Sequence, residues 1–250
     1  MWTTIRTMDI TLAVHPHRIG ILGGMGPAAT VDLLQKVIQL TPATRDQDHV
    51  PTVVWNVPQI PERLAAMRGE GPSPLPAMLE GARALESVGC EALAVACNTA
   101  HHWADELRAA VGIPLLHIAE VAVEALADRS PRPETVGLLA TRGTLQSGFY
   151  QRALEERGFR VQLPDEREQL EGIDAAIRAV KVNRAVEGRP LFDGVAEAML
   201  QRGCGVLVLG CTELPLLLPG GSMACHCIDT NETLARAIVE QAFAGVAQRR

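Results

Sequence analysis

From Arg18 onward, short apolar runs rich in β-branched residues alternate with longer stretches in which apolar positions recur at helical spacing. The runs 19–22, 52–57, 92–96, 115–118, 135–139, 160–163 and 206–209 predict strands, and 28–39, 75–88, 104–111, 119–127, 147–157, 170–182, 191–202 and 230–248 predict helices. Strands that alternate with helices and read as almost continuous apolar runs belong to parallel sheets with crossover helices, so the fold class is α/β. Pro27 stands at the start of the first helix, where its missing N–H costs nothing. Residues 69–76 read as a surface loop and residues 1–17 as a flexible extension.

The chain also repeats itself. GCEALAVACN (89–98) and GCGVLVLGCT (203–212) superpose without a gap, so that Cys90 matches Cys204 and Cys97 matches Cys211, 114 positions apart. IGILGGMGP (19–27) matches VGLLATRGT (136–144) at a separation of 117. Two matches in the same order at nearly the same spacing predict a duplicated unit: two pseudosymmetric parallel-sheet domains with a cleft between them. The first is expected to span 18–114 and the second 115–224, with the break near 112–117, where Gly-Ile-Pro interrupts the helical pattern. The last helix finds no counterpart at the end of the first half and is expected to return, with 225–250, to the first domain.

Composition narrows the function. Hydrophobic residues at 47% exclude disorder for the bulk of the chain, and a net charge of -6 without basic runs offers nothing to nucleic acid. No apolar run approaches the roughly 18 residues of a membrane span, and the stretch 10–14 is shorter than the apolar region of a secretory signal, so a cytoplasmic protein is expected. Six cysteines are too few for a disulfide scaffold. Aromatics at 3% leave no stacking platform for bases or flat cofactors, which points to a small ligand.

Cys90 and Cys204 precede strands and read as core residues. Cys97 and Cys211 differ, because each closes a strand and is followed by polar groups, Asn98-Thr99 and Thr212-Glu213. Ligands of open α/β sheets bind beyond the carboxyl ends of strands, and a nearby helix N-terminus is expected to acidify a thiol placed there. Inverting a carbon centre by proton transfer needs a base on one face and an acid on the other, in exchangeable roles. Two like thiols related by pseudosymmetry meet that need.

ACNTAH (96–101), GCTELP (210–215), ILGGMGP (21–27) and PQIPER (58–63) resemble the cofactor-independent aspartate/glutamate racemase superfamily, and most closely its aspartate racemase branch, from about residue 19 to the last helix. The resemblance implies that Cys97 and Cys211 are the two acid/base residues. It implies that Met25, Gln59, Asn98, Thr99, Thr141, Gly143 and Thr144 line the substrate site, and it assigns Arg63 and Lys181 to substrate charge. Lys181 is one of only two lysines, beside 21 arginines. Thr212 and Glu213 complete the expected site, Glu213 as a partner of the second thiol, a ligand for the substrate ammonium or a helix cap. The implied activity is racemisation of aspartate without cofactor or metal, by a homodimer. The alternatives are a glutamate or broad-specificity racemase, another isomerase of the superfamily acting on hydantoins or maleate, or a binding protein without turnover.

Three further features weigh less. Gly24-Met25-Gly26-Pro27-Ala28-Ala29 fits a relaxed dinucleotide fingerprint, but the second strand ends in Asn56-Val57 without the acidic residue that would hold a ribose, so a tight turn is expected. Cys225-His226-Cys227 has no second pair at zinc spacing and reads as loop cysteines. His101 and His102 read as structural, and Arg142 as either an anion contact or a solvent-facing side chain.

Overall fold

The computed structural model describes residues 16–244. Its strands form two four-stranded sheets, parallel throughout. The first holds β1 (Ile19–Gly23), β2 (Thr52–Asn56), β3 (Ala92–Val95) and β4 (Leu115–Leu116) in the order β2-β1-β3-β4. The second holds β5 (Thr135–Ala140), β6 (Arg160–Gln162), β7 (Val206–Gly210) and β8 (Cys227–Asp229) in the order β6-β5-β7-β8. The identical order is what a duplication requires. In each sheet the chain leaves the first strand for one side and returns on the other, so a crevice opens beyond the carboxyl ends of β1 and β3, and again beyond β5 and β7.

Strand pairing redraws the expected boundaries at two points. Leu115 pairs with Leu93 and therefore stays in the first sheet, whereas Cys227 pairs with Leu207 and joins the second. The run 115–118 predicts a strand but its pattern does not say which sheet it joins, and β8, at three residues, has too little pattern to be read from sequence. Cys227 consequently opens a strand and is not a loop cysteine.

Ten helices connect the strands: α1 (Pro27–Leu40), α2 (Arg63–Met67), α3 (Leu75–Ser87), α4 (Ala104–Ala110), α5 (Ile118–Ala127), α6 (Arg142–Ser147), α7 (Phe149–Glu156), α8 (Asp174–Lys181), α9 (Ala185–Gln201) and α10 (Thr230–Phe243) among the described residues. Several differ from expectation for identifiable reasons. The helix expected over 147–157 begins at Arg142, because the Thr141 hydroxyl accepts from Thr144 N–H at 3.1 Å and caps it, and Gly148 at φ 71° splits it in two. The helix expected from 170 starts with a π-helical stretch, Glu168–Ile173. α9 begins before Leu191 and takes Pro190 into its interior. The single-turn α2 is fixed by Glu62, which accepts from Ala65 N–H at 2.6 Å. The end of the expected last helix, 245–248, and residues 1–15 of the expected extension lie outside the described residues. His17, which the expected extension included, is anchored, its N–H donating to Ala242 O at 2.8 Å.

Each sheet is buried on both faces. The first has Leu33 and Val37 of α1 and Leu234 and Ile238 of α10 on one side, and Met78 and Leu85 of α3 and Leu107 of α4 on the other. The second is covered by Ile177 of α8 and Phe192 and Met199 of α9, and opposite them by Ala122 and Leu126 of α5 and Leu154 of α7. The helix that closes each half therefore covers the other half's sheet. α5 is the counterpart of α10 that the sequence did not reveal. Lys36, paired with Asp32 one turn earlier on α1, ties that helix to α10 through Asp229 at 2.7 Å, and Asp229 also caps α10. Among the described residues no helix is long and apolar enough to cross a membrane.

Candidate active site

Cys97 stands two residues beyond β3 and Cys211 directly beyond β7. Both line one cleft of about 360 Å³, together with Met25, Arg63, Asn98, Thr99, Thr141, Lys181, Thr212 and Glu213 from the expected set. Three expected residues do not. Gln59 is exposed in the turn before α2. Gly143 packs beneath the wall, where a Cβ would lie 2.8 Å from Thr99 Cγ2. Thr144 is fully buried and joins Thr99 and Thr141 in a triangle of hydroxyls 2.8 to 3.1 Å apart, which ties the loop after Cys97 to the start of α6.

Sequence reasoning missed Glu62, Leu64, Arg68, Leu170, Asp174, Ile177 and Arg178, which also line the cleft. α2 and its flanks carry the first three, and a helix of five residues leaves no periodicity to read. For the others a signal existed: Asp174, Ile177, Arg178 and Lys181 lie at the three- and four-residue spacing that shares one helix face. Arg142 lines the cleft but is neutralised by Asp174 at 2.7 Å and Glu166 at 2.8 Å, so neither a free anion contact nor a solvent-facing side chain describes it.

Burial controls the thiols. It pushes Cys97 up, against the opposing pull of the Arg63 cation. It pushes Cys211 well up, reinforced by the Glu213 carboxylate, which accepts from Cys211 Sγ–H at 3.0 Å. The expected acidification by helix N-termini is thereby overturned. Each cysteine leads into a short 3₁₀ turn, Thr99–Trp103 or Leu214–Leu217, whose summed dipole is small beside the cost of burying a thiolate. Cys90 and Cys204 sit in the cores.

Two buried atoms in the cleft residues, Arg63 Nε and Glu213 Oε1, lack partners among the described residues. Arg63 donates through its terminal nitrogens to the carbonyls of Pro61 at 2.9 Å, Ile60 at 3.2 Å and Met25 at 3.3 Å, which leaves Nε–H free. Glu213 gives one oxygen to Cys211 and leaves Oε1 free, and it makes no side-chain cap, which removes the capping role. His101 is structural: its Nε2 accepts from Ile118 N–H at 3.2 Å, so Nδ1 carries the proton and donates to Cys97 O at 2.9 Å. Among the described residues no group of three or more His, Cys, Asp or Glu is placed to hold a metal ion.

A duplicated parallel α/β fold with a thiol at the same strand end in each half, both lining one cleft, defines a two-domain cleft protein for a small molecule. The chain belongs to the Asp/Glu/hydantoin racemase family, matched over residues 22–238, and is an amino-acid racemase. It is 30% identical over 227 residues to the broad specificity amino-acid racemase RacX of Bacillus subtilis (strain 168), spanning 88% of this chain and 96% of that one. The aspartate racemase of Picrophilus torridus superposes with a TM-score of 0.81 at 32% identity, covering 90% of this chain and 94% of its own. A glutamate racemase of Persephonella marina is 34% identical over 148 residues, 56% of this chain and 52% of that protein.

Proposed function

We propose that the protein interconverts L- and D-aspartate without a cofactor, Cys97 and Cys211 exchanging the Cα proton from opposite faces. The observation that carries this reading is the pair of unpartnered buried atoms beside the two thiols: one guanidinium N–H on Arg63 and one carboxylate oxygen on Glu213. A zwitterionic amino acid supplies the carboxylate and the ammonium that satisfy them, which relieves a desolvation cost of about 1–3 kcal/mol per group. The cleft also holds five cationic side chains, Arg63, Arg68, Arg142, Arg178 and Lys181, against the carboxylates of Glu62, Asp174 and Glu213, in a chain of net charge -6. With Arg142 neutralised and no carboxylate paired to Arg178 or Lys181 among the described residues, the latter two are open to a second substrate carboxylate. That favours aspartate over neutral amino acids.

In this reading Cys211 rests as a thiol on Glu213 and serves as the acid when Cys97 is the base. One thiolate withdraws the proton while the opposite thiol returns one to the other face, and the roles reverse for the other enantiomer. The test is Cys97→Ala and Cys211→Ala, each assayed for aspartate racemisation and for elimination from both enantiomers of an aspartate analogue with a β-leaving group. Each variant should lose racemisation yet eliminate from one enantiomer, the two with opposite preference, because elimination needs only one base. Full racemisation by either variant, or the same preference in both, refutes the mechanism.

A further inference from the structure

Asn98, the residue after the first thiol, has both side-chain groups engaged although it lines the cleft. Its Oδ1 accepts from Tyr150 O–H at 2.6 Å, and its Nδ2 donates to Thr230 Oγ1 at 3.2 Å. The Thr230 hydroxyl donates in turn to Leu209 O at 2.8 Å, two residues before Cys211. All three side chains are 2% exposed or less. The directions of these bonds are fixed. The single Thr230 proton goes to Leu209, so Thr230 must accept from the amide nitrogen, which turns the amide oxygen to Tyr150. Burial pushes the phenol well above its ordinary value, so it remains a neutral donor. A continuous chain thus runs from α7 through the loop after Cys97 and the start of α10 to the strand that ends on Cys211. It is one-sided: among the described residues the hydroxyl of Thr212, the counterpart of Asn98, donates only within its own loop, to Glu213 at 3.5 Å.

We propose that Tyr150 is a positioning residue for racemisation, fixing the separation of the two thiols through Asn98 and Thr230. The proposal rests on the two-thiol reading. The chain uses the Asn98 amide oxygen and one of its two N–H donors, so it fixes the orientation of the amide and leaves the second N–H to the cleft. Transfer from both faces of one carbon requires both sulfurs to be in reach at once, and a misplacement of about 1 Å costs on the order of 100-fold in rate. Elimination by a single thiol has no such requirement.

That difference supplies the test. Tyr150→Phe keeps the ring and removes only the hydroxyl. Its kcat for aspartate racemisation should fall about 10- to 100-fold with KM within about threefold, while elimination from either enantiomer of the β-leaving-group analogue stays within about twofold. Thr230→Val breaks the same chain from the other end and should show the same split, and Thr230→Ser, which keeps the hydroxyl, should restore racemisation. Wild-type racemisation by Tyr150→Phe, or elimination falling by the same factor as racemisation, overturns the proposal. So does a Tyr150→Phe, Thr230→Val double variant whose losses multiply, because members of one chain cannot lose it twice. Failure of the two-thiol reading itself would show separately, as racemisation surviving Cys97→Ala or Cys211→Ala.

Discussion

Acidification from pH 8 to pH 5 should lower folding stability by about 4 kcal/mol through two imidazoles alone. His101 and His117 lie with ring centroids 4.6 Å apart, 3% and 7% exposed. Burial is the main cause that depresses both, His101 to about 3, with His117 adding to the effect, and His117 to about 4, with Arg108 adding. Above the ordinary value of 6.5 both folded and unfolded chains hold these rings neutral, and stability does not depend on them. Below it the unfolded chain takes up protons that the folded chain refuses, so stability falls with pH until the folded values are reached. At pH 5 the unfolded rings sit about one and a half units below their pKa, and at about 1.36 kcal/mol per unit each contributes about 2 kcal/mol. The assay is denaturant unfolding at pH 8 and pH 5 of the wild type, His101→Gln and His117→Gln. Glutamine does not titrate, so the difference between the two pH values should shrink by about 2 kcal/mol in each variant, whatever the variant's stability at pH 8. His17, exposed and raised by Glu91, works in the opposite direction but equally in all three proteins. Variants that lose as much stability on acidification as the wild type would refute the reasoning.

Three other outcomes are expected. Glu213→Gln removes a charge and a hydrogen bond that hold Cys211 up, so in a Cys97→Ala background alkylation of Cys211, followed by peptide mass spectrometry, should reach half its limiting rate at lower pH; an unchanged profile would separate Glu213 from the thiol. Gly24→Ala should cost about 2–4 kcal/mol in denaturant unfolding, because Gly24 sits at φ 92° and its Cβ would lie 2.4 Å from the Val57 main chain; a loss under about 1 kcal/mol would contradict that geometry. Lys181→Met should raise KM for aspartate about tenfold or more and leave alanine nearly unaffected, and equal losses would show that Lys181 does not hold the side-chain carboxylate.

The sequence discloses whatever repeats or alternates over several residues. β1, β3, β5 and β7 are apolar at nearly every position, and the two Gly-Cys…Cys segments align, so the parallel sheets, the duplication and the two thiols are all legible. Short features without a run of their own are not: α2 brings Arg63 and Leu64 to the cleft on five residues, and β8 holds three. Gln59 shares PQIPER with Arg63, yet the turn exposes one and buries the other, a distinction that composition does not encode. Tyr150, the chain's only tyrosine, falls in the helix expected over 147–157 with nothing in the local pattern to mark it, because its partner Asn98 is 52 residues away. The thiols depart from expectation for a physical reason: desolvation acts on a buried group from all sides, and the end of a helix from one.

The exchange of closing helices makes the two halves interdependent. A chain cut in the exposed link between α5 and β5 would yield one piece whose sheet lacks the cover of α10 and another whose sheet lacks the cover of α5. Each piece would expose an apolar sheet face and carry a spare amphipathic helix, and the helix that each needs belongs to the other. The same logic applies to an isolated copy of either half: alone it would be unfinished, but two copies could trade their last helices about a two-fold axis and close both sheets, as a swapped dimer does. The present protein is in that sense a dimer written on one chain, with the two thiols placed where such an axis would bring together the equivalent strand ends of two identical halves. Fusion into one chain allows those two sites to diverge, and they have done so here: one thiol is tied to a carboxylate, and the other lies near a guanidinium.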